Sequence, residues 1–167
     1  KVKWDDLVDW MLHPSKPDWS AGIAKEWTPG EMGARKRLRD FLKDAITGYA
    51  EGRDRPDQNH TSRLSPHLRF GEISPHQIWR AASHAQEAGE APARDIQKFL
   101  SEIAWRDFSH HLLYNDPEMG HLSWRRQFED VDWRTGSKSG LEAWRRGQTG
   151  YPLVDAGMRE LRTRGYM

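Results

Sequence analysis

Apolar residues recur at helical spacing along most of the chain, and no stretch shows the period-2 alternation of a strand, so the pattern predicts an all-α fold. Leu38, Phe41, Leu42, Ala45, Ile46 and Tyr49 form one such row. It predicts a helix launched by a capping box at Thr28-Pro29-Gly30-Glu31, with Pro29 at N1, and running to about Tyr49. The charged run from Arg35 to Asp40 reads as its solvated face. A second capping box, Ser74-Pro75-His76-Gln77, opens a helix that Gly89 ends. A third helix is expected from about Pro92 to Asn115, where Asp116-Pro117 stops it. In it Leu100, Ala104, Phe108 and Leu112 form an i, i+4 stripe expected to face the core. A third box at Ser139-Gly140-Leu141-Glu142 predicts a helix ended by Gly147, and a last helix spans about Val154 to Arg164. Residues 1–27, broken at His13-Pro14 and Lys16-Pro17, read as a linker that wraps over the domain. No internal repeat or low-complexity segment interrupts the series.

Composition narrows this to one soluble, intracellular domain or a part of one, with a cytoplasmic location expected. The 167 residues suffice for a single core, and no apolar run approaches the roughly twenty residues of a membrane helix. The N-terminus carries no signal-peptide pattern. Zero cysteines exclude a disulfide framework and thiolate metal sites, which suits a reducing compartment. A net charge of +1 does not announce nucleic-acid binding, so a basic patch would have to be local. Mean hydropathy of −0.94 is low for a folded domain, but nine tryptophans and five phenylalanines argue for a packed, aromatic-rich chain. The histidines offer no metal spacing, since His110 and His111 are adjacent and point to different helix faces.

Two places carry candidate chemistry. In Thr61-Ser62-Arg63-Leu64-Ser65-Pro66 three hydroxyls gather in a turn that opens a helix, where unpaired amides attract anions. The same residues also describe an ordinary helix start with Ser65 as N-cap and Pro66 at N1. On the third helix Glu102, Trp105, Arg106 and Ser109 share a face. A carboxylate, an indole and a guanidinium can together stack a flat ring and bond its edge. An intrahelical Glu102–Arg106 pair with Trp105 as ordinary packing is the alternative.

A series of motifs carries a family resemblance. Arg53-Asp54-Arg55-Pro56, Thr61-Ser62-Arg63-Leu64-Ser65-Pro66-His67-Leu68 and Gly71-Glu72-Ile73-Ser74-Pro75 come first. Glu102-Ile103-Ala104-Trp105-Arg106-Asp107-Phe108 and Gly150-Tyr151-Pro152-Leu153-Val154-Asp155-Ala156-Gly157-Met158-Arg159 follow. In this order they resemble the flavin-binding domain of the DNA photolyase and cryptochrome family, from about Trp27 to the last residue. The likeness is to the N-terminal part of the helical FAD-binding domain of a class I-like deoxyribodipyrimidine photolyase. Residues 1–27 resemble the connection from the family's antenna domain, and residues 28–167 a partial FAD-binding domain.

The resemblance implies a helical domain that holds a U-shaped FAD at the bottom of a cavity. By matching position, Tyr49 and the turn of Thr61, Ser62, Arg63, Leu64 and Ser65 would contact the FAD phosphates and ribityl chain, with Arg106 beside the flavin. Phe99 stands where some members carry tryptophan, and it and Glu102 would also line the cofactor side. Glu102 and Trp105 would meet a flipped pyrimidine dimer, and Arg53 the DNA backbone near it. Trp133, upstream of Trp144, resembles the outermost tryptophan of the chain that photoreduces flavin, which implies partial exposure. The implied reaction is light-driven repair of cyclobutane dimers in DNA by an electron from reduced FAD. The family alternatives are (6-4) repair or a cryptochrome-like photoreceptor acting through a protein partner. The family's flavin domain continues past Gly165-Tyr166-Met167 with an Asn-Arg helix and an acidic loop, and an antenna domain with a second chromophore precedes it. The expectation is a fragment of an otherwise monomeric enzyme, holding no FAD by itself.

Overall fold

The computed structural model describes residues 4–132 and 136–167. Among these the regular elements are all helical: α1 (Ala21–Glu26), α2 (Glu31–Asp40), α3 (Tyr49–Gly52), α4 (Ser65–Arg69), α5 (Pro75–Glu87), α6 (Ala93–Asn115), α7 (Lys138–Arg146) and α8 (Pro152–Arg164), with short 3-10 turns between some of them. They fall into two compact units, one of residues 29–132 and the other of the described residues in 1–28 and 133–167.

The 29–132 unit is built on α6. Its buried row is Ile96, Phe99, Leu100 and Ile103, the alternating three-and-four spacing that keeps side chains on one side of a 3.6-residue helix. Against it pack Ala34 and Leu38 of α2, Phe41, Tyr49, Leu64, Ile73, and Ile78 and Ala82 of α5. The stripe Leu100-Ala104-Phe108-Leu112 does not face the core as expected. Leu100 is buried, but Ala104 is exposed and Phe108 is 47% exposed. A pure i+4 row drifts by about 40° per step around the axis, so it leaves the core face within two steps.

Three helix boundaries also differ from expectation. No capping box forms at Thr28. α2 begins at Glu31 with Gly30 as N-cap at φ 93°, a conformation glycine adopts without strain, and the Glu72 carboxylate accepts the Gly30 amide instead. The helix also does not run unbroken to Tyr49. It loosens into a π turn over Phe41–Ala45, turns at Gly48 with φ 82°, and restarts as α3. The cap of α7 is Ser137 rather than Ser139: Ser137 Oγ accepts from Gly140 N at 3.0 Å, and Glu142 is taken by Arg146 at 2.6 Å. The box at Ser74 forms as expected, with Gln77 N donating to Ser74 Oγ and Ser74 N to Gln77 Oε1.

In the second unit α1 lies on α8 so closely that a Cβ on Gly22 would collide with the Thr163 carbonyl oxygen. Trp27 Nε1 donates to the Arg164 carbonyl at 2.7 Å. Asp155, in the first turn of α8, accepts from Thr149 N, Thr149 Oγ1 and Gly150 N at 2.7–3.0 Å. In the segment ahead of α1, Trp4, Val8, Met11 and Trp19 are exposed.

Candidate functional site

α3 has only four residues, and a helix that short has no stability of its own. Its start is closed from α6 by Asp95, whose Oδ2 accepts from Gly48 N at 2.9 Å and Oδ1 from Ala50 N at 2.8 Å. A carboxylate there satisfies amides that the helix itself leaves unpaired. Tyr49, between those amides, has its ring edge-on to Phe41 and to Phe99, each 5.6 Å away. One turn on, the Arg53 guanidinium carbon lies 5.9 Å from the Tyr49 ring centroid, and Arg53 pairs with Glu102 of α6. Lys98 reaches the same carboxylate at 3.0 Å. Burial pushes the Glu102 carboxyl up, but the bonds from Lys98 and Arg53 outweigh it and hold the group below the ordinary carboxylate value. The structure thus brings Tyr49, Arg53, Phe99 and Glu102 into one cluster.

The Thr61–Ser65 turn is pinned at both ends. Before it the His60 ring lies against Gly52, where a Cβ would stand 2.6 Å from the ring. At its far end Leu64 is 1% exposed. Thr61, Ser62 and Arg63 are half-buried and Ser65 is exposed. Ser65 is not the N-cap. Arg63 turns the chain at φ 52°, which moves the cap to Leu64, and no side chain caps the helix there. The hydroxyl of Ser65 is therefore not spent on its own helix. His67, buried in α4, bonds Glu72 at 2.5 Å. That bond, with the Gly30 amide, holds the Glu72 carboxyl below its usual value.

Beyond the core row α6 presents an uncovered face. Trp105 is 59% exposed, its ring 5.7 Å from that of Phe108, and an open groove of about 390 Å³ is lined by Ser101, Ala104, Trp105 and Phe108. The intrahelical Glu102–Arg106 pair does not form, because Arg53 and Lys98 take the carboxylate. Ser109 donates to the Trp105 carbonyl at 2.8 Å and so serves its own helix. Trp133 lies outside the described residues. Asp95 and Glu72 were missed in the sequence: each looks like an ordinary acid near a helix start, and nothing local shows that the amide it serves is far along the chain.

Residues 99–167 match the family model for the FAD binding domain of DNA photolyase. The deoxyribodipyrimidine photo-lyase of Agrobacterium fabrum is 47% identical over 165 residues, which cover 99% of this chain and 34% of that protein. Cryptochrome-1 of Arabidopsis thaliana is 35% identical, with 89% of this chain and 22% of that protein covered. A solved bacterial class III photolyase from Agrobacterium tumefaciens superposes with a TM-score of 0.91 at 47% identity, covering 99% of this chain and 34% of that one. The chain belongs to the DNA photolyase and cryptochrome family, as part of its helical FAD-binding domain. It spans about a third (34%) of the length of the Agrobacterium photo-lyase.

Proposed function

We propose that this chain supplies part of the FAD and DNA site of a deoxyribodipyrimidine photolyase that splits cyclobutane pyrimidine dimers. Residues 28–167 are its share of the flavin domain and residues 1–27 the linker before it. The observation that carries the reading is the cluster on α6, where an ionised Glu102 joined to Arg53 stands one turn from a solvent-facing Trp105. The residues present fit the cofactor in kind. Thr61, Ser62 and Ser65 would offer hydroxyls and the turn amides to a diphosphate, Arg63 and Leu64 belong to that turn, Tyr49 of α3 and Phe99 pack ring to ring and would line the cofactor side, and Arg106 would supply a cation.

When bound and reduced, FAD supplies the light-driven electron, and the protein supplies position and electrostatics. Trp105 offers a stacking face to a base taken out of the duplex. Glu102, kept ionised by Lys98 and Arg53, accepts hydrogen bonds and donates none, so it reads an N–H on the base edge. Arg53 would touch the DNA backbone near the lesion. By the family resemblance, Trp133 would be the residue that passes an electron toward the flavin. The test uses the full-length protein loaded with FAD and a dimer-containing oligonucleotide under blue light. Dimers are expected to disappear, and Ser62→Ala with Ser65→Ala to lower FAD occupancy. Likeness to Cryptochrome-1 supports a second reading, a photoreceptor. Flavin photochemistry without loss of dimers would select it, and loss of (6-4) products alone would select that repair activity.

A further inference from the structure

We infer that Asp95 is a positioning residue for this site, fixing α3 independently of Glu102 so that Glu102 is left available to substrate; this rests on the reading above. Asp95 and Glu102 lie seven residues apart on α6, two turns along one face and about 10 Å apart in rise. They hold the two ends of α3. Asp95 takes the amides on either side of Tyr49, and Glu102 takes the guanidinium of Arg53. The two clamps differ in kind. Asp95 is 7% exposed and has both oxygens engaged by backbone. The Glu102 side chain is 28% exposed and is held by two flexible cations. A glutamate that must turn to a base edge cannot also be the sole anchor of the helix that carries Tyr49 and Arg53. Gly48, at φ 82°, gives that helix no rigidity at its start. The buried Asp95 keeps Tyr49 and the base of Arg53 seated when the outer clamp opens.

The test is made in the full-length protein. Asp95→Asn keeps one acceptor but turns an NH2 group toward the other amide. Its FAD Kd, read by flavin fluorescence on titrating the apoprotein, is expected to rise about tenfold, with faster hydrogen exchange at the Gly48 and Ala50 amides. Ile78→Ala, a core change on α5, serves as the stability control. It is expected to lower the melting temperature at least as far with FAD Kd unchanged. Asp95→Glu carries the charge one carbon further from the amides and is the second variant if Asp95→Asn does not accumulate; at least a threefold rise in FAD Kd is expected. An unchanged FAD Kd in the Asp95 variants, or an equal rise in Ile78→Ala at matched melting temperature, would overturn the assignment. Wild-type full-length protein that takes up no FAD would instead remove the underlying functional reading.

Discussion

His67, Asp95 and Asp155 are buried polar side chains of similar purpose. Each is removed from water, which costs free energy unless bonds replace the lost hydration, and each spends those bonds on loop backbone or on the acid that caps one. Asp155 shows how this works inside a family motif. The Thr149 hydroxyl and the Thr149 and Gly150 amides converge on it and hold its carboxyl below the usual range. Asp155→Asn cannot accept all three bonds, and we expect a fall of several degrees in melting temperature by circular dichroism. Trp105 stands at the other extreme, with more than half of its surface open. Stacking a base on an indole contributes roughly 1–3 kcal/mol. Trp105→Ala in the full-length protein should therefore weaken binding to dimer-containing DNA about ten- to a hundredfold and leave undamaged duplex nearly unmoved. Equal losses on both DNAs would make Trp105 a folding residue.

At the scale of elements, the packing of α3 against the segment that follows depends on one missing methyl group. A Cβ on Gly52 would press on the body of the His60 ring, not on its flexible end. Gly52→Ala should cost about 1–3 kcal/mol in urea unfolding, and Gly52→Ala with His60→Ala should recover part of it. A single variant as stable as wild type would show that the ring moves freely. The helices α5, α6, α7 and α8 were legible in the chain, because proline and glycine punctuate them and because Ser74 and Gln77 form a box within four residues, whereas α1 lies in the stretch that reads as linker and α2 and α3 read as one helix. What could not be read were caps supplied from a distance, such as Glu72 on Gly30 and Asp95 on α3. The buried face of α6 was misread for a related reason. Ala104 and Phe108 are apolar enough for a core row, and only the position of α2, α3 and α5 decides that Phe99 and Ile103 fill it. Of the candidate site, Glu102, Trp105 and the Thr61–Ser65 turn stand out as motifs, whereas the Arg53–Glu102 link needs the fold to bring α3 onto α6.

For the molecule as a whole, acid should act on both units at once. Glu72, Glu102 and Asp155 all have lowered values when folded. A group depressed by folding contributes stability above its unfolded value, about pH 4, and that contribution is lost as the pH falls through the folded value. Melting temperature should hold from pH 7 to about pH 5 and drop below about pH 4, with Asp155→Asn showing a shallower acid limb. A flat profile to pH 3 would contradict the assigned bonds. The 167-residue chain by itself should be colourless after purification, since a partial set of contacts cannot offset the entropy of fixing so large a ligand. Stoichiometric flavin would overturn that. The bare outer half of α6 has a further outcome at the bench. Trp105 and Phe108 stand ring to ring there, with Leu113 and Tyr114 exposed further along, and bare apolar surface of that kind self-associates as protein concentration rises. Preparations of this chain should cloud on concentration, and clear with mild detergent sooner than with salt.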